Sequence, residues 1–82
     1  MIELIFAIEQ YNFLCKYIPE IKIYEKNVNV HDGKISLEMT EDDFDKFEME
    51  YSFAIVRHGM DNQDTVNDIG MELYRIFDEC IY

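Results

Sequence analysis

Apolar residues crowd the first eighteen positions, and their spacing predicts a helix over residues 2–18. Leu4, Ile5, Ile8, Tyr11, Cys15 and Ile18 share one stripe, with Ile2, Phe6, Phe13 and Tyr17 on a flanking one. Only Glu9, Asn12 and Lys16 form a polar strip. A helix this apolar lies across a sheet or lends one side to a partner subunit. Pro19 ends it, because the residue before a proline is pushed out of helical geometry.

Between residues 21 and 39 the period changes to two. Asp32-Gly33 separates two alternating runs, the signature of a two-residue type I′ hairpin. With His31 facing Lys34, the expected pairs are Val30 with Ile35, Val28 with Leu37 and Lys26 with Met39. Val28, Val30, Ile35 and Leu37 then share one face, and Asn27, Asn29, Ser36 and Glu38 the other. Ile21 and Ile23 have the opposite parity, which implies a bulge or twist near Glu25 or a short separate strand.

Residues 40–58 fit two periods. Phe47, Met49, Tyr51, Phe53 and Ile55 alternate as a strand would, whereas Phe44, Phe47, Tyr51, Ala54, Ile55 and His58 fit a helix. The ends favour the helix. Thr40 and Asp43 resemble a capping box; Glu41, Asp42 and Asp43 suit the positive end of a helix dipole, and Arg57 and His58 the negative end. Gly59 is placed to supply a left-handed cap. A last helix is expected over residues 61–81, capped by Asp61 or Asp64, with Val66, Ile69, Gly70, Leu73, Phe77, Cys80 and Ile81 as its apolar stripe. Gly70 costs about 1 kcal/mol against Ala inside a helix, so its place on the stripe predicts close backbone approach, opposite Ala54. The expected architecture is α+β: an N-terminal helix, a small antiparallel hairpin or sheet and two C-terminal helices (α-β-β-α-α), one compact domain over residues 1–82.

Composition adds a charge asymmetry. The net charge of −11 is uneven: residues 1–37 carry five acids and four lysines, whereas residues 38–82 carry thirteen acids against Lys46, Arg57 and Arg75. Such a surface attracts cationic partners and repels nucleic acid and anionic membrane. With 49% hydrophobic residues, six Phe and six Tyr, the chain is far from the composition of an acidic disordered tail. Met1 to Ile8 lacks the basic start and small-residue cleavage site of a signal segment, and no apolar run is long enough for a membrane span. Cys15 and Cys80 therefore read as reduced, buried thiols of a cytoplasmic protein, with a disulfide between them as the lesser alternative.

The acids are also ordered. Asp64, Asp68 and Glu72 follow at i, i+4 spacing with Glu79 further along, and Glu41, Asp45 and Glu48 do the same on the preceding helix, next to Asp42. Carboxylates so spaced lie about 6 Å apart, near twice the rise per nucleotide of one DNA strand. Two such rows would offer a phosphate-like ladder to a basic groove. The plainer alternative is a solvated helix face, since neighbouring charges at that distance repel in water by only about 0.7 kcal/mol.

Catalytic and metal constellations are missing from the sequence. Asp61, Gln63 and Thr65 lack the pattern of a calcium loop, His31 and His58 stand far apart, and Ser36 and Ser52 lack a nucleophile elbow. No enzyme activity, cofactor or metal is expected. Direct nucleic-acid binding is disfavoured by the seven basic residues, most of them in the less acidic half. Tyr17, Tyr24, Tyr51, Tyr74 and Tyr82 are candidates for rim residues of a protein-binding face.

In size, charge and element order the chain resembles the phage-encoded anti-CRISPR and anti-restriction inhibitors that act as DNA mimics. The anionic second half and its aligned carboxylate rows, with this resemblance, lead to the expectation of inhibition of a nucleic-acid-binding protein or nuclease by occupation of its basic groove, with Glu41, Asp42, Asp45, Glu48, Asp64, Asp68, Glu72 and Glu79 as the contact residues. Two other readings accompany it. One is an immunity protein or antitoxin that neutralises a basic toxin; the other is a homo-oligomeric accessory protein, a homodimer for instance, built on its apolar first helix with merely solubilising acids.

Overall fold

The computed structural model describes residues 1–61 and 65–81. Its first element corrects the expected helix. Ile2–Ala7 is a strand, β1, and only Ile8–Tyr17 is helical, α1. The reason lies in the hairpin: two strands alone leave their apolar face half built, and a third strand completes it. Ile2, Leu4 and Phe6 alternate with Glu3, Ile5 and Ala7, and β1 lies antiparallel to Lys34–Met39 (β3) with Ile2 opposite Met39, Leu4 opposite Leu37 and Phe6 opposite Ile35. Those six side chains make the core face of the sheet. Gln10 then closes the strand-to-helix corner by accepting a hydrogen bond from the Ala7 N–H at 2.9 Å, and the Ile8 N–H donates to the Gly33 carbonyl at 3.1 Å.

Pro19 ends α1 as expected, but the chain immediately makes one further turn, α2 (Ile21–Tyr24), begun by the Ile21 N–H donating to the Ile18 carbonyl. The opposite parity of Ile21 and Ile23 thus reflects a helical turn, with Ile21 buried and Ile23 outside, in place of the expected bulge or short strand. The hairpin forms as predicted at its turn: β2 (Lys26–His31) pairs with β3 with His31 facing Lys34 and Val30 facing Ile35, and Asp32 and Gly33 both have positive φ. Further from the turn the register changes. Asn27, at φ 52°, and Val28 together oppose Leu37, so Lys26 faces Glu38 instead of Met39. Asn27 secures the bulge by donating from Nδ2 to Glu38 Oε1 at 2.8 Å.

The sheet order is β1-β3-β2, and helices pack on one face only. Thr40 caps α3 (Glu41–His58), its Oγ1 accepting the Asp43 N–H at 3.1 Å. The helical period wins over the strand period there. Phe47, Tyr51, Ala54 and Ile55 are buried, whereas Met49 and Phe53 are not. Tyr51 donates its hydroxyl to the Leu73 carbonyl and meets Phe47 and Phe77 edge-on, with centroids 5.8 and 5.2 Å away.

The final helix starts later than expected. Met60–Asp61 (β4) and Thr65–Val66 (β5) form a short antiparallel ribbon, and α4 is Asp68–Ile76, capped by Asn67, followed by a π-helical turn at Phe77–Ile81. Asp61 does not cap it, and Asp64 lies outside the described residues. Asn67 suits the role because it serves both helices: Oδ1 accepts the Gly70 N–H at 3.0 Å and Nδ2 donates to the His58 carbonyl at 3.1 Å.

Close approach at Gly70 is real, with a different neighbour. A Cβ on Gly59 would lie 2.6 Å from Gly70 Cα, and one on Gly70 would overlap the Gly59 carbonyl oxygen. Gly59 ends α3 with its N–H on the Ile55 carbonyl but is not left-handed (φ −100°), so a glycine is needed there for proximity and not for a left-handed cap. The result is one compact domain, a three-stranded antiparallel sheet under four helices, in which none of the described helices is long and apolar enough to cross a membrane. Cys15 and Cys80 are half-buried free thiols.

Candidate interaction surface

Helix α3 carries the clearest one-sided chemistry. At 100° per residue its buried residues Phe47, Tyr51, Ala54 and Ile55 point to the core, and the opposite line runs through Asp42, Asp45, Met49, Phe53 and Val56. Glu41 flanks that line and is exposed; Glu48, further round, is half-buried. The outer face therefore has two parts. Acids occupy its first turns, with exposed Lys46 beside them, and Met49, Phe53 and Val56 follow with relative exposures of 58%, 52% and 50%. An exposed Met and Phe at i, i+4 on a helix is the composition of a protein-binding anchor, and the adjacent carboxylates suit a charged rim.

The other predicted contact residues are placed elsewhere. The Gly59–Gly70 contact ties the start of α4 to the end of α3, so Asp68 lies about 27 Å, the length of the eighteen-residue α3, from Glu41. Asp68 is exposed in the first turn of α4, whereas Glu72 is committed to its own helix, accepting from Arg75 at 2.5 Å. Glu79 lies on the π-helical turn and accepts from Gln10 Nε2 at 3.3 Å, on the side of the molecule where α1 begins. Glu41, Asp42 and Asp45 thus share the first turns of α3 with Glu48 further round, and Asp68 lies at the opposite end of that helix.

Titratable groups inside the fold are structural. Burial, then the hydrogen bond to Glu25 at 2.5 Å, raises the pKa of Tyr11; burial, then the charges on Cys80 and Glu72, raises that of Tyr51. Burial also pushes the Cys80 thiol up, which keeps it protonated and unreactive, donating to Gln10 Oε1 at 3.3 Å. His58 is exposed and its ring lies 5.4 Å from that of Tyr17; His31 and Asp32 pair at 3.0 Å beside the hairpin turn. Among the described residues no three His, Cys, Asp or Glu side chains gather as a metal site. Open hollows are lined by Thr40, Glu41 and Asp42 at the start of α3, and by Ile5, Asn29, His31, Lys34 and Ser36 on the uncovered face of the sheet.

Charge alone did not reveal Met49, Phe53 and Val56 as part of the surface. The signal was present as a second apolar stripe, i, i+4, i+7, opposite the stripe of Phe47, Tyr51 and Ala54 on the same helix. Comparison of the chain with protein-family models, with curated proteins and with solved structures finds no match.

Proposed function

We propose that this chain is a small acidic inhibitor that works by binding and not by catalysis, docking the outer face of α3 on the basic groove of a nucleic-acid-binding protein or nuclease. The observation that carries the reading is the succession on that one face: Glu41, Asp42 and Asp45, then exposed Met49, Phe53 and Val56. The carboxylates take the place of nucleic-acid phosphates, speeding association through long-range attraction, and the apolar stretch supplies contact area that phosphates lack. The reading rests on α3, since Asp68 sits at the far end of that helix, Glu72 is engaged by Arg75 and Glu79 by Gln10. An immunity protein or antitoxin would use the same anchor against a toxin's basic active site, and rescue of cells from a co-expressed toxin distinguishes it.

The test is capture from lysate by the wild type and by Glu41→Gln/Asp42→Asn/Asp45→Asn, with washes at low and high salt and competition by duplex DNA. The expected result is a basic protein that the wild type retains at low salt, that duplex DNA displaces, and that the triple variant holds at least tenfold less well. Equal retention by the triple variant, or indifference to both salt and DNA, would refute the reading.

A further inference from the structure

A second surface has different chemistry. β2 pairs with β3, and among the described residues no strand lies along its other edge. On the core face of the sheet Val30 and Val28 are 65% and 41% exposed, and Ile23 of α2 is 74% exposed, so the apolar layer continues past its helical cover. Unlike α1, whose exposed residues are Glu9, Asn12 and Lys16, this edge offers apolar side chains together with unpaired backbone.

We infer that β2 is the interface of a twofold homodimer, in which the β2 strands of two copies pair antiparallel about Asn29 and join two sheets into one of six strands. In a two-residue hairpin the residues closing the turn exchange their backbone bonds, so His31 and Asn29 bond to β3 while Val28 and Val30 present N–H and C=O outward. Pairing about Asn29 sets Val28 against the second copy's Val30 and the reverse, using all four outward residues. The strand is also self-complementary in charge. It begins at Lys26 and is followed by Asp32, so the antiparallel arrangement brings each lysine alongside the other copy's aspartate.

Electrostatics restricts where a chain of net charge −11 can meet itself. The segment Lys26–His31 contains no acid, and the bulge at Asn27 and Val28 guards only the start of the edge, leaving Asn29 to His31 in regular register. The dimer therefore strengthens as salt screens the overall repulsion, the opposite of the response expected of α3. It stands independently of the inhibitor reading.

The test is sedimentation equilibrium of the wild type, Val30→Lys and Phe53→Lys, from about 10 µM to about 1 mM, a range that displays a concentration-dependent mass. The wild type should rise from 9.9 kDa toward twice that mass, more readily at high salt. Val30→Lys should associate at least tenfold more weakly, while Phe53→Lys follows the wild type. A monomeric wild type, a Val30→Lys variant that associates equally well, or loss of association in Phe53→Lys alone overturns the inference. Should Val30→Lys fail to fold, amide exchange of the wild type decides: Val28 and Val30 N–H groups become protected at high concentration, and unchanged exchange overturns the proposal.

Discussion

Replacing Gly70 by Ala sets two effects against each other, and the structure says which prevails. By helix propensity alone the change is favourable by about 1 kcal/mol. Here, however, the new Cβ would overlap the Gly59 carbonyl oxygen and lie 2.8 Å from Val66 Cγ1. The backbone cannot easily retreat, because Asn67 joins the two segments twice, its side chain donating to the His58 carbonyl and its N–H to the Gly59 carbonyl at 2.8 Å, while its Oδ1 holds the Gly70 N–H in place. Overpacking against backbone costs about 3 kcal/mol, at the upper end of the usual range, which leaves a net loss of about 2 kcal/mol. A chain of this length has a total stability of about 4 to 12 kcal/mol, so the loss is large. Urea unfolding followed by far-ultraviolet circular dichroism should show the midpoint falling by about 1.5 M with an unchanged slope. A variant as stable as the wild type, or more so, would show that propensity governs the position and that the Gly59–Gly70 approach is incidental.

Two further outcomes follow from the core and the caps. Tyr51→Phe removes the hydroxyl that satisfies the Leu73 carbonyl and should cost about 1 to 2 kcal/mol at neutral pH. Because burial raises the folded pKa of Tyr51 and Tyr11 above the ordinary 10, stability is fully present below pH 10 and is lost as pH rises through the raised values, where the unfolded chain alone ionises. Urea melts from pH 8 upward should therefore show the gap between wild type and Tyr51→Phe narrowing above about pH 10, and a constant gap would contradict the assignment. Thr40→Ala deletes the acceptor of the Asp43 N–H and should lower the urea midpoint in keeping with a loss of about 1 kcal/mol, whereas Thr40→Ser should not.

Local physical chemistry was legible wherever one short segment decided the outcome. Asp32-Gly33 needs positive φ at both positions and so determined the turn and the His31–Lys34 and Val30–Ile35 pairs. Thr40, the acids after it and the apolar stripe behind them determined α3, and Pro19 determined the end of α1. What stayed hidden depended on neighbours distant in sequence. The spacing of Ile2–Ala7 reads as the start of a helix, and only the unpaired edge of β3 makes it a strand; Asn67, not an aspartate, caps α4 because the β4–β5 ribbon delays the helix and sets Asn67 within reach of His58. The acidic rows were visible as spacing, yet whether they share a face depends on the antiparallel course of α3 and α4, which puts Asp68 and Glu41 at opposite ends. Sequence by itself determined the chain's charge, its turn and its longest helix, because those rest on residues a few positions apart. Tertiary structure alone decided which apolar side chains remained outside, Met49, Phe53 and Val56 on α3 and Val28 and Val30 on β2, because exposure is set by how far the other elements extend.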